Sequence, residues 1–374
     1  MAFEWHPMEN RMALNLNAND VTFNHEMVAL LLEIEEFKGS WQAYGKWAPA
    51  YLAELQRLAT IVSIGSSTRI EGAKCTDRDV SRMMTKRASR SFLTKDEKDV
   101  AGYACLLHEI HSSWKTMPLT EHTIKHLHAT LMQFSQDARH QSTYKPADNH
   151  VVAFDAHGQA IGVVLETVSA NETRRYMEQL VAWTNLQLTI KTLPALIVIG
   201  MFVAAFLAIH PLTDGNGRLS RALTTLLLLR AGYVYVPYCS LERIFEASKT
   251  SYYISLRATQ KTLQSDHPNW TIWLSFFLKS LVKEVRHLKR KVDNAQLFQT
   301  IPDTSQPMIE LIRKHGAMSI TEAATILQVN KFTLRDHVKC LVKDVKSRSS
   351  WGITAPTIPY LNFVSALRTA SGES

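Results

Sequence analysis

Two strongly apolar runs, Ala195–Ile209 and Leu223–Leu229, stand on either side of one short polar stretch. Residues 210–221 read His-Pro-Leu-Thr-Asp-Gly-Asn-Gly-Arg-Leu-Ser-Arg. Any fold of this chain must bury both runs while holding a histidine, a carboxylate and two arginines between them. Charges in that position are costly unless something compensates them. Gly215 and Gly217 allow a tight turn with backbone N–H groups aimed outward, and the helix that follows presents its positive end. Arg218 and Arg221, three apart, share one face of that helix and can serve one anion. Asp214 suits a magnesium ion accompanying the anion. His210 is the side chain here whose neutral form is well populated at neutral pH, as a general base requires. The local chemistry is phosphate, divalent metal and proton transfer.

Three rival readings fail or weaken. A Walker loop needs a lysine that this stretch lacks. An EF-hand counted from Asp214 would put Arg218 at its fifth position and Thr225 at its twelfth, where oxygen ligands and an acid are needed. A plain helix-capping turn does not account for so many convergent charges.

Residues 210–221 resemble the signature of the Fic family, His-x-Phe-x-Asp/Glu-Gly-Asn-Gly-Arg-x-x-Arg, at each specified position but one. Leu212 stands where the family has Phe, and its side chain is expected to anchor the loop in the core. The resemblance implies transfer of AMP from Mg-ATP to a Ser, Thr or Tyr hydroxyl of a target protein. In that reading His210 takes the hydroxyl proton and Asp214 binds Mg2+. Gly215, Asn216 and Gly217 line the anion site, while Arg218 and Arg221 hold the outer phosphates. In-line phosphoryl transfer needs positioning and charge neutralisation more than covalent help, and this set supplies both.

A second motif lies upstream. Ser67-Thr68-Arg69-Ile70-Glu71-Gly72 fits the family's inhibitory pattern, [Ser/Thr]-x-x-x-Glu-[Gly/Asn]. Ser67 and Glu71 share a helix face, and Gly72 suits the helix end. Alone, such a string is an ordinary solvated helix end. Beside the signature, the resemblance implies that Glu71 pairs with Arg221 and denies it to ATP.

Val151–Leu165 reads as two β-prone runs around an Asp-Ala-His-Gly turn. In Fic proteins a hairpin here is the flap, whose edge aligns the target by strand addition. Tyr144-Lys145-Pro146 precedes it with lysine where relatives often have arginine, and the proline pair usual after the flap is replaced by Glu166–Glu172. Tyr252 and Tyr253 are candidates to border the adenine, although aromatic stripes at helical spacing more often form core.

Of 374 residues, 46% are hydrophobic and 20% charged, the composition of a globular chain with ample core. No apolar stretch is long enough for a bilayer, and the beginning of the chain shows no signal pattern. Cys75, Cys105, Cys239 and Cys340 lack pair spacing, so reduced thiols, a cytoplasmic setting and no membrane partner are expected. His108, His111, His122, His126 and His128 complete no metal pattern and are expected to be solvated or capping.

The expected fold is mainly α: a Fic-type helical core with a β-hairpin flap, plus a small C-terminal winged helix-turn-helix-like domain. The expected divisions are a helical region over 1–115 with the inhibitory helix near 60–72, a catalytic core over 116–299 and a module over 300–374. Thr300–Pro307 has the composition of a linker. In the module Met308–His315, Ser319–Leu327 and Asn330–Val342 read as helices, and Lys346–Pro359 would be the wing. Lys331, Thr333, Arg335 and Lys339 would then meet DNA, with Lys343, Lys346 and Arg348 extending the positive surface. The net charge of +8 favours an anionic partner. The open alternative is a module for dimerisation or target recruitment. Three readings of the whole are carried forward: a self-inhibited adenylyltransferase that also modifies itself, a nucleotide-sensing DNA-binding regulator, and an enzyme that uses Glu71 to remove AMP.

Overall fold

The computed structural model describes residues 16–44, 49–85, 94–135, 142–154, 160–299 and 320–336. In chain order these form α1 (His25–Tyr44), α2 (Pro49–Ile70), α3 (Asp77–Thr85), α4 (Lys95–Ser113) and α5 (Glu121–Met132). The hairpin strands β1 (Val151–Phe154) and β2 (Ala160–Leu165) follow. Then come α6 (Ala170–Ile190), α7 (Ala195–Ile209), α8 (Asn216–Arg230), α9 (Leu241–Ala247), α10 (Lys249–Gln260), α11 (Thr271–Gln299) and α12 (Ile320–Leu327). The protein is mainly helical, and among the described residues β1 and β2 are the strands. No described helix is long and apolar enough to cross a membrane. Among the described residues Cys75, Cys105 and Cys239 form no disulfide.

The chain divides into two compact units, Met1–Leu288 and Lys289–Ser374. At the centre of the first is α7, whose residues from Leu196 to Ile209 are all buried. A helix apolar on every side must be enclosed, and α6, α8, α10 and α11 enclose it. At Gly200 an added Cβ would come within 2.7 Å of Leu274, so glycine permits the close approach of α11, whose Trp273 indole donates to the Gly200 carbonyl at 2.7 Å.

The segment with Ser67, Glu71 and Gly72 is the end of one long helix. α2 packs against α3, α4, α8 and α9, so the N-terminal helices and the signature loop share one unit. Ser63, Ser66, Ser67 and Thr68 are buried along it, small polar residues that bring its backbone close to its neighbours. It ends in a Schellman motif. Gly72 has φ +102°, its N–H donates to the Arg69 carbonyl at 3.0 Å, and the Ala73 N–H donates to the Thr68 carbonyl at 3.1 Å. The glycine expected to stop this helix does so.

β1 and β2 pair antiparallel from Val151 against Leu165 to Phe154 against Ala160, with two register irregularities. The expected turn at 155–159 lies outside the described residues, as does the linker Thr300–Pro307.

In the second unit α12 is followed by a tight turn, where Gln328 has φ +53°, and by helix over 331–336. The Asn330 carboxamide accepts from the Phe332 N–H at 2.8 Å, which starts that second helix. Ile320, Ala323, Ala324 and Leu334 are the buried residues of the pair. The expected helix Met308–His315, the wing Lys346–Pro359 and Lys339 lie outside the described residues.

Candidate functional site

The signature loop is closed by its own asparagine. Oδ1 of Asn216 accepts from the Leu212 N–H at 3.0 Å, and its Nδ2 donates to the Leu212 carbonyl at 2.6 Å. Leu212 itself is fully buried, so leucine does the anchoring expected at the family's Phe position. Asn216, expected to line the anion site, therefore uses its side chain to shape the loop. Gly215 takes φ +79° to start α8, and no side chain caps that helix. An uncapped helix start is an electropositive ring of N–H groups.

Charged groups gather around this start. Arg218 is 3% exposed, and its Nη1 donates to Oδ1 of Asp99 at 2.5 Å. Its Nη2 lies 3.4 Å from Oδ2 of Asp214, and its Nε is buried without a partner. Asp214 is well exposed at the loop tip, with Oδ1 accepting from the Gly215 N–H at 2.6 Å. Among the described residues no three His, Cys, Asp or Glu side chains converge on a metal position. Magnesium bound to a nucleotide requires no such cage, because one carboxylate plus phosphate oxygens and water suffice, and the exposed carboxylate of Asp214 could be that ligand.

Arg221 is also 3% exposed and is held from α2. Its Nε donates to Oγ of Ser67 at 2.9 Å, and its Nη2 donates to the Ser67 carbonyl at 2.9 Å and to Oε1 of Glu71 at 2.8 Å. A Cβ placed on Gly217 would collide with that same Oε1, so the carboxylate lies directly over the first turn of α8. Ser67, Glu71, Arg221 and Gly217 thus meet at one point.

His210 closes α7 in the left-handed conformation, φ +51°, with its N–H donating to the Phe206 carbonyl at 2.9 Å. Burial pulls its pKa down to about 4, helped by the nearby ammonium of Lys145 and opposed in part by the Leu207 carbonyl, Glu71 and Asp214. At neutral pH the imidazole is uncharged and able to accept a proton. Burial likewise brings Lys145 down to about 8.

Several residues at the site were not singled out from sequence. Asp99 comes from α4, well over a hundred residues from its arginine, and no local pattern marks it. Two of the histidines expected to be solvated or capping are neither. His128 is 1% exposed, and its ring Nε2 pairs with the Asp214 carbonyl at 3.0 Å, supporting the loop from α5. His111 lines a small cavity with Arg221 and Glu242, and burial pulls it down to about 4. His126 behaves as expected, exposed and paired with Glu109.

Tyr252 is 2% exposed, stacked on Phe245 at 4.8 Å and edge-on to Trp273, so it sits in the core beneath Arg221. Tyr253 is half-buried, with the Arg257 guanidinium over its ring at 5.7 Å. In the second unit Lys331, Thr333 and Arg335 are all exposed, and they belong to a different unit from the signature loop.

Comparison with known proteins agrees with this site. Residues 118–228 match the sequence model of the Fic/DOC family, so the chain contains a Fic domain that includes the signature loop. A Fic family protein from Desulfovibrio desulfuricans superposes with a TM-score of 0.58 at 21% identity, over 85% of this chain and 88% of that one. A Fic domain containing signaling protein from Bacteroides thetaiotaomicron gives 0.58 at 21% identity, over 70% and 97%. Fic-1 from C. elegans gives 0.54 at 15% identity, over 73% and 74%. At these identities the likeness is one of fold.

Proposed function

We propose that this protein is a self-inhibited protein adenylyltransferase. The target hydroxyl oxygen attacks the α-phosphorus of ATP, its proton passes to His210, and pyrophosphate leaves from the opposite side. Asp214 would hold Mg2+, which would lower the negative charge the nucleophile meets. The first turn of α8 at Gly215 and Gly217 binds phosphate through N–H groups, and Arg218 and Arg221 hold the outer phosphates. Asn216 serves by keeping the loop closed, and Tyr253 is the better placed of the two tyrosines to border the base. The β1–β2 hairpin acts as the flap along which a target segment aligns. The scattered spacing of Cys75, Cys105, Cys239 and Cys340 in the sequence favours a reducing, cytoplasmic setting.

The observation that carries this reading is the ion pair of Glu71 with Arg221 over the first turn of α8. A carboxylate held there competes with phosphate, so the resting enzyme is restrained and self-modification is a natural assay of its release. The C-terminal module serves as a targeting, pairing or DNA-binding device. Exposed Lys331, Thr333 and Arg335 on one short helix are the observation that keeps DNA in view.

The test is intact mass of wild type, Glu71→Gly and the Glu71→Gly, His210→Ala double variant after incubation with Mg-ATP. A gain of one AMP unit confined to the Glu71→Gly single variant is expected. No adduct in any sample, together with nucleotide-dependent DNA binding, would favour the regulator instead.

A further inference from the structure

The backbone on both sides of His210 is held by the two feet of the hairpin. Ahead of β1, the Lys145 N–H donates to the Pro211 carbonyl at 2.8 Å, and Nδ2 of Asn149 donates to the Leu212 carbonyl at 2.7 Å. After β2, the Val168 N–H donates to the Ala208 carbonyl at 3.3 Å. Between the feet lies the ammonium of Lys145, in a side chain from a residue only 3% exposed. It donates to Oδ1 of Asn149 at 2.8 Å, to Oγ1 of Thr167 at 3.0 Å and to the Ile209 carbonyl at 3.1 Å. Those three acceptors are all an ammonium can take. They come from three segments: the first foot, the second foot, and the residue immediately before His210.

We infer that Lys145 is a positioning residue, which locks the base His210 to the hairpin so that a target segment aligned on the hairpin meets it in register. The inference rests on the adenylyl-transfer reading for its catalytic consequence alone. The physical case is one of location and satisfaction. Ile209 is the last residue of α7, where carbonyls lack helical partners and a cation is stabilised. An apolar side chain in place of Lys145 would leave the Ile209 carbonyl, Asn149 and Thr167 without their shared donor in a buried site. The left-handed turn at His210 would then lose the brace next to it on the α7 side, keeping only the Val168–Ala208 bond, while the nucleotide groups on α8 would keep theirs. The ammonium also faces the imidazole electrostatically. Glu71 and Asp214 are the carboxylates on the other side, and they act on the imidazole in the opposite direction to Lys145.

The experiment compares Lys145→Met and Lys145→Arg with the parent, all in full-length Glu71→Gly protein. Lys145→Met is expected to lower kcat for self-modification about tenfold or more while KM for Mg-ATP stays within about twofold, because orientation of the base is lost and nucleotide binding is not. Lys145→Arg, which keeps a charged donor, is expected to recover much of that loss. Titration of the His210 ring by NMR, assigned against His210→Ala, is expected to move upward in Lys145→Met and not in Lys145→Arg. If Lys145→Met does not fold, Thr167→Val and Asn149→Ala replace it and are expected to give the same kcat loss. Equal kcat at equal folded fraction, with an unmoved His210 titration, would overturn the assignment. Absence of self-modification in the Glu71→Gly parent would instead count against adenylyl transfer, and the NMR titration would still decide whether Lys145 is coupled to His210.

Discussion

Oε1 of Glu71 occupies the space into which any side chain at Gly217 would project, and from there it accepts from Nη2 of Arg221 at 2.8 Å. The restraint proposed for this protein is therefore a carboxylate resting on an uncapped helix start, with the charge sign of a phosphate. Ser67 binds Arg221 independently through two further hydrogen bonds. Removing Glu71 thus leaves the guanidinium in position and frees one donor. A charge-assisted hydrogen bond of this kind contributes about 2 kcal/mol, so Glu71→Gly should raise the rate of self-modification about thirtyfold. Gly217→Ala should not imitate it. The new methyl pushes Glu71 aside but fills the same space against phosphate, so nucleotide affinity measured by calorimetry should fall even in the Glu71→Gly background. Unchanged affinity there would mean that phosphate does not approach Gly217.

Asp99 is the carboxylate that keeps Arg218 tolerable in the absence of nucleotide. The guanidinium is 3% exposed with one buried nitrogen unpartnered, and its other carboxylate, Asp214, stands at 3.4 Å. Asp99→Asn leaves a buried charge poorly compensated, which costs about 3 kcal/mol and should lower the melting temperature by several degrees. Mg-ATP should then stabilise Asp99→Asn more than wild type, since a phosphate oxygen would supply the missing acceptor. Equal ligand-induced shifts in the two proteins would separate Arg218 from phosphate binding.

The depressed pKa of His210 has a definite sign in the pH dependence. Unfolded, the imidazole titrates near its ordinary value of 6.5; folded, it titrates at about 4. The stability associated with its neutral form is fully present above the higher value and is lost as pH falls from there toward the lower one. His210→Asn should flatten the stability profile in that window. For catalysis, the base stays neutral through the same range. The kcat of the Glu71→Gly variant should therefore show no acid limb near pH 6.5, in a stopped assay from pH 5.5 to 8. Loss of the Glu71 carboxylate moves His210 further down, so this background sharpens the expectation. A limb at 6.5 would show that the working imidazole is not the buried one described above.

The parts of the site readable in the sequence were those that crowd many chemical constraints into one short stretch. Residues 210–221 had to bury two flanking runs and hold four charged or titratable groups, and few structures meet both demands. Ser67, Glu71 and Gly72 were readable for a similar reason, because helical spacing puts the first two on one face and glycine suits the left-handed stop. Asp99, Asn149 and Thr167 were not readable, since each is an unremarkable polar residue whose role appears only once the chain brings distant segments together, and Lys145 stood out only as a departure from the family's arginine. His128 was misjudged because burial of a lone histidine depends on the tertiary neighbours of α5, and its own sequence context is polar. The uniform composition near residue 115 gave no warning that α2 and α4 would pack directly on α8 within one unit.

Glu71 can restrain the active site only as firmly as the end of α2 is held, and that end is anchored by charges outside the inhibitory pair. Arg69, between Ser67 and Glu71 in sequence, grips Glu246 of α9 with Nε at 2.6 Å and Nη2 at 3.0 Å, and its Nη1 donates to Asp77 at 2.9 Å. Lys249 donates to the carbonyl of Ile70, the last residue of α2, at 2.6 Å. A bidentate arginine–carboxylate pair fixes direction as well as distance. Loosening it should let Glu71 leave Arg221 more often without touching any group that meets nucleotide or target. Glu246→Gln is thus expected to raise self-modification of otherwise wild-type protein by a fewfold, less than Glu71→Gly, because Lys249 and the Schellman turn at Gly72 still hold the helix end. In the Glu71→Gly background the same substitution should change nothing, since there is no restraint left to loosen. Intact-mass time courses of the two single variants and the double variant measure this coupling directly. Additive effects would mean that Glu246 acts on the catalytic groups by some route other than the position of Glu71.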